Sequence, residues 1–165
     1  MTLAADRPAT TSYLSGGTLF VMLWAGLLAT IVFDWYGQYL TPELGFARLA
    51  PEPLATQTLQ TLFGAFDGDA AGGTALHWIT GIVFYPVGYA LIALPIARAI
   101  VPGISWLVVA IVYGVVLWAF ALYVMAHLIN GNPPFLGFTG ITWVALIGHV
   151  IFAIVLGSIL APRTD

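Results

Sequence analysis

Asp34, His77 and His127 are the residues of this chain best suited to chemistry: one carboxylate and two imidazoles, each placed near the end of a long apolar stretch. Neutral imidazole and ionised carboxylate are donors for borderline divalent metals, and a two-histidine, one-carboxylate set leaves coordination positions open, as in non-haem iron and some zinc sites. Haem is a second use, since His77 and His127 could face each other across an iron if they lie at one depth. The bland alternative is polar glue, with Asp34 hydrogen-bonded to a histidine and the cluster holding helices together. Tyr85, Tyr123, Asn130 and His149 add further polar groups within or beside apolar stretches, and Asp34, His77, Tyr85, His127 and His149 can be written as a proton relay.

The elements that must position these groups are membrane spans. Of the 165 residues 61% are hydrophobic and 7% charged, whereas a soluble domain is about a quarter charged, so most of the surface faces lipid. Four apolar runs, about 18–36, 76–100, 105–130 and 139–160, are each long enough for a helix to cross a bilayer core. The expectation is an all-α integral membrane protein, a single four-helix bundle. Between the first two spans PEPLATQTLQTLFGAF predicts a short amphipathic helix over about 52–63, with Leu54, Leu59, Leu62, Phe63 and Phe66 forming an apolar stripe and its place in the membrane interface. Asp67 and Asp69 after it resemble the start of a calcium loop, but the remaining ligands are missing.

Spacing within the spans assigns faces. Gly26, Thr30 and Asp34 recur every four residues; His77, Gly81, Tyr85 and Gly88 share a face, as do Tyr113, Phe120, Tyr123 and His127, and then Thr142, Ala145, His149 and Ala153. Small residues beside a polar one let helix backbones approach closely in lipid. Pro86 and Pro95 each remove a helix donor, so the second span should bend and leave a carbonyl four residues before each proline for another partner. The stretch YVMAHLINGNPPFLGF, 123–138, gathers His127, Asn130 and Asn132 at a helix end and breaks at two prolines. The rest of the chain reads as organised around it.

Depth follows from the 1.5 Å rise per residue. Asp34, His77 and His127 fall in one layer near one membrane face, while His149 lies about 15 Å deeper, beside Tyr85 or Tyr89. Arg7, Arg98 and Arg163 fall on one side and Arg48 on the other, which predicts cytoplasmic termini and an outward-facing Asp34 layer.

Several function classes are excluded. The chain has no Lys and four Arg, so no basic patch exists for nucleic acid. Without Cys there is no thiolate nucleophile and no Cys-ligated cluster. Ser15, Ser105 and Ser158 lie on the side opposite the Asp34 layer, so no serine triad assembles there, and no phosphate-loop pattern occurs. Transport has weak footing, because Asp34 is near the interface and no inverted repeat of broken helices appears.

The segments ALHWITGIVFYPVGY, YGVVLWAFALYVMAHLINGNPPF and TWVALIGHV resemble those of small uncharacterised four-span proteins of bacterial inner membranes, over residues 76–160. The resemblance implies that location and names no reaction. With no complete catalytic set, the expected role is an accessory or scaffolding subunit that docks lipids, other membrane-protein subunits or a second copy of itself. The alternatives are a metal or haem protein using Asp34, His77 and His127, and a small proton-linked transporter.

Overall fold

The computed structural model describes residues 16–161; Arg7, Arg163 and Ser15, used above, lie outside them. Helices α1 (Gly16–Glu43), α3 (Asp69–Ile100), α4 (Trp106–Ile129) and α5 (Gly140–Leu160) are each long and apolar enough to cross a membrane. A shorter helix, α2 (Pro51–Phe63), lies between the first two. The described residues contain no strand. The chain is an all-α membrane bundle.

Local chemistry explains the element ends. Pro51 opens α2 at a position where its missing N–H is not needed. Gly64, at φ +80°, closes α2 with its N–H on the Gln60 carbonyl. The Ser105 hydroxyl caps α4 by accepting from the Leu107 N–H at 3.3 Å. The first two spans run longer than the apolar runs alone suggested, because α1 continues through Trp35 into a turn of π-helix, and α3 begins at Asp69.

Prolines shape the helices in a consistent way. Three π turns, Tyr36–Leu40, Thr80–Phe84 and Tyr89–Ala93, each end two residues before a proline, Pro42, Pro86 and Pro95 in turn. A proline ring crowds the carbonyl four residues back and gives it no hydrogen bond, and a widened turn relieves both problems without breaking the helix. The Ile82 carbonyl, four residues before Pro86, lies against Gly26 of α1, where a Cβ would come within 2.7 Å of that oxygen and 2.5 Å of the Pro86 ring. α1 and α3 therefore cross at Gly26 and Gly81, with Thr30 packed on Gly81. α4 and α5 approach as closely at Gly114, where a Cβ would sit 2.6 Å from the Val150 Cα.

α3 and α4 behave differently. They meet through Tyr89–Ala93 and Leu94–Ile100 of α3 against Trp106–Ala119 of α4. Tyr113 pins this pivot, its hydroxyl donating to the Tyr85 carbonyl at 2.8 Å above Gly88, and the Tyr89 ring packs edge-on against it. Beyond the pivot, toward the end that carries α2, the two helices splay. In that half α4 is π-helical from Phe120 to Ile129. The wider turns change which way successive residues point, so Tyr113 is buried inward while Tyr123 turns toward the α4–α5 loop, its ring stacked on Phe135 and tilted against His127.

That loop, Pro134–Phe138, holds three non-glycine residues in the left-handed region: Phe135 (φ 49°), Leu136 (φ 53°) and Phe138 (φ 54°). Each costs about 1–2 kcal/mol against the ordinary backbone. What holds them is local: Thr142 Oγ1 donates to the Phe135 carbonyl at 2.6 Å, Trp118 Nε1 donates to the Thr142 carbonyl at 3.0 Å, and the Phe135 ring packs on Trp118 and Tyr123.

Candidate functional site

The splay between α3 and α4 leaves a cavity of about 680 Å³, within the usual range for small-molecule sites. Its walls are apolar. Phe33 and Thr30 of α1, Phe84 of α3, Leu122 of α4 and Phe152 of α5 line it, and Leu136 from the strained loop closes one side. The cavity reaches Phe84 and Phe120, which are 59% and 43% exposed on membrane-spanning helices, so its side opening between α3 and α4 faces the bilayer.

α2 is the roof. One edge contributes Pro51, Pro53, Leu54 and Ala55 to the cavity. Hydrogen bonds fix it to the end of α4: Gln57 Nε2 donates to the Asn130 carbonyl at 3.2 Å, Asn130 Nδ2 donates to Thr58 Oγ1 at 3.0 Å, and Asn132 Nδ2 donates to Gln57 Oε1 at 3.0 Å. Against α3 it packs without a spacer, Thr56 lying on Gly73. Asn130 and Asn132, gathered at the helix end by the sequence, thus serve as the fastening of a helix more than 70 residues earlier in the chain.

Asp34 and His77 meet. His77 Nε2 lies 3.0 and 3.1 Å from the two Asp34 carboxylate oxygens, with the side chains 12% and 13% exposed. A carboxylate only accepts here, so Nε2 carries the proton of that bond. Glu52, in the first turn of α2, stands beside them and accepts from Gln38 Nε2 at 3.4 Å. One donor atom from each of Asp34, Glu52 and His77 lies within 4.8 Å of the others. The sequence reading missed Glu52, whose only signal was its place in the first turn of the amphipathic helix.

His127 is not in that group. Its Nδ1 is 2.7 Å from the Asn132 carbonyl and its ring packs on Tyr123, so it helps shape the loop that fastens α2. No contact among the described residues joins the rings of His77 and His127. Of the relay written from the sequence, Asp34 bonds to His77, and His77, Tyr85 and His149 line one cavity, with His127 outside it.

His149 sits at the cavity floor, 6% exposed, its ring edge-on to Phe33 at 5.1 Å. Its Nδ1 is 2.7 Å from the Ala145 carbonyl one turn back. Arg48 lines the mouth from the loop before α2. No family model, curated protein or solved structure matches the chain.

Proposed function

We propose that this bundle is an accessory membrane protein that takes up one molecule from the lipid phase and holds it under α2. The observation that carries the reading is the 680 Å³ apolar cavity, roofed at the membrane surface and open sideways between α3 and α4. A molecule dissolved in hydrocarbon can enter by that side without crossing water, and apolar walls with few polar groups favour it. Such a role suits the bacterial inner membrane that the resemblance implies, with the roof on the outward face and the termini cytoplasmic. Docking of partner subunits remains compatible with it, since the outer faces of α1 and α4 carry exposed Phe20, Trp24 and Val112.

The test is occupancy by lipid-phase molecules. Native mass spectrometry of protein released from lipid nanodiscs is expected to find one retained lipidic molecule, lost when Ala121→Phe or Ala55→Trp fills the cavity from α4 or from the roof. Equal retention in both filled variants would overturn the reading.

A second reading has its own observation. Asp34, Glu52 and His77 converge closely enough to hold a divalent metal once the carboxylates draw in. The expected result is near-stoichiometric zinc or iron by elemental analysis, reduced about tenfold or more in affinity by Glu52→Gln. Unchanged metal content in that variant would leave the trio as a strut between α1, α2 and α3.

A further inference from the structure

Two polar groups that line the cavity make no hydrogen bond among the described residues. His149 is more than nine-tenths buried, and its Nδ1 faces the Ala145 carbonyl, which can only accept, so Nδ1 carries a proton. In the neutral imidazole the other nitrogen, Nε2, is then a lone-pair acceptor. His149 lines the cavity and Nε2 makes no hydrogen bond. Tyr85, half-buried, also lines the cavity, and the hydrogen bond that Tyr113 makes to this residue goes to its backbone carbonyl, which leaves the Tyr85 hydroxyl to a ligand. Two side chains that line one cavity with hydrogen-bonding positions the protein leaves unused are groups a polar ligand can answer.

The pair has a definite polarity. His149 Nε2 accepts only; the Tyr85 hydroxyl donates or accepts. A ligand hydroxyl donates to Nε2, and a ligand oxygen accepts from the Tyr85 hydroxyl. Around them the surfaces are rings: Phe33 is edge-on to His149 at 5.1 Å, Phe152 is edge-on to Tyr85 at 5.6 Å, and Phe33 and Phe152 meet at 6.4 Å. Such walls suit a flat ring better than a flexible headgroup, which would lose rotamer freedom there. The side opening leaves room for an apolar tail to stay in the bilayer.

We infer that His149 and Tyr85 form the head-group site for a lipid-soluble quinol, a flat ring bearing hydroxyls with a long apolar tail, bound in the roofed cavity. The inference rests on the reading of the cavity as a lipid-phase site. It concerns binding alone, and no electron transfer is part of it.

The experiment is binding of a short-tailed benzoquinol, kept reduced, to the full chain in nanodiscs, beside the same compound with both hydroxyls methylated. The expected result is quinol binding about twofold to tenfold weaker for each hydrogen bond lost, in Tyr85→Phe and in His149→Leu, with the methylated compound, which can accept from Tyr85 but cannot donate to His149, weaker than the quinol on the unaltered protein and unaffected by His149→Leu. Tyr85→Phe keeps the ring and tests the donor even where His149→Leu fails to fold. Equal affinity of quinol and methyl ether for the unaltered protein would overturn the inference, as would quinol binding unchanged in Tyr85→Phe. Ala121→Phe separates the two levels. If it abolishes retention of lipidic molecules while the quinol shows no preference, the cavity reading stands and the head-group assignment falls; if neither it nor Ala55→Trp changes retention, both fall.

Discussion

Gly26→Ala probes the crossing that sets the whole α1–α3 pair. A Cβ at position 26 would lie 2.5 Å from the Pro86 Cγ and 2.7 Å from the carbonyl oxygens of both Gly81 and Ile82. None of these neighbours is the end of a flexible side chain. Two are backbone, and the third is a ring whose position is tied to the π turn before it. The helices must therefore move apart by close to an ångström to restore van der Waals contact, which thins the packing along α1 and weakens the fit of Thr30 on Gly81. Overpacking of this kind costs about 1–3 kcal/mol in a well-filled core, and helix association in lipid rests on such close packing. For a chain of 165 residues that corresponds to a fall in unfolding temperature of about 2–12 °C. The control is Gly16→Ala, where nothing lies within 4 Å of the added carbon; better helix propensity there should leave stability unchanged or raise it by up to about 1 kcal/mol. Thermal unfolding in mild detergent, followed by circular dichroism, reads both. Should Gly26→Ala melt with the unaltered protein, the crossing is looser than described and the account of why these helices carry glycine is wrong.

Two further outcomes follow from the roof and the loop. Gln57→Ala and Asn132→Ala each remove the 3.0 Å bond between α2 and the α4–α5 loop, at about 0.5–1.5 kcal/mol apiece. Because they share that bond, the double variant should cost less than the sum, measured as faster amide exchange confined to α2; strictly additive effects would mean the two side chains act apart. Phe138→Gly removes the left-handed strain at φ 54° from a residue whose ring is 56% exposed. Stability should hold or rise by up to about 1 kcal/mol, the ring's contacts with Phe135 and Trp143 offsetting part of the gain. A loss above 2 kcal/mol would show that those ring contacts outweigh the backbone strain.

The spans were legible because apolar length is a one-dimensional property that lipid reads directly. α2 was legible for a related reason, its stripe of Leu54 and Leu59 against a polar face. Depth is also nearly one-dimensional, and it placed Asp34 and His77 in the layer where they are hydrogen-bonded. Direction around a helix is not. His127 lies in a ten-residue π-helical stretch whose wider turns shift the facing of every residue in it, and the Asn132 carbonyl five residues on takes its Nδ1. The spacing of Tyr113, Phe120, Tyr123 and His127 assumed ordinary α geometry, and the stripe separates accordingly. Glu52 escaped because its approach to Asp34 depends on the fold of the whole loop between α1 and α2. The prolines foretold disturbance in α3, but not that the helix would widen and stay continuous.

The cavity is the feature least visible in the sequence, and its cause lies in the contrast between helix pairs. Where glycine meets backbone, at Gly26 with Gly81 and at Gly114 with Val150, two helices touch directly. α3 and α4 are instead held apart by tyrosines, with the Tyr113 hydroxyl on Gly88 and on the Tyr85 carbonyl acting as a pivot. An aromatic spacer at one level forces a gap at the next unless something fills it. The chain fills the surface layer only, by laying α2 across the gap and tying it down at Gln57, Thr58, Asn130 and Asn132. Deeper, no described residue fills the space, and Tyr85 and His149 are among the residues that line it. A bundle with no use for the gap could close it by exchanging the tyrosine pivot for small residues, as its other helix pairs have done. Retaining the spacer, the fastened roof and the open space between them is costly for stability, and a ligand that fills the cavity would offset that cost.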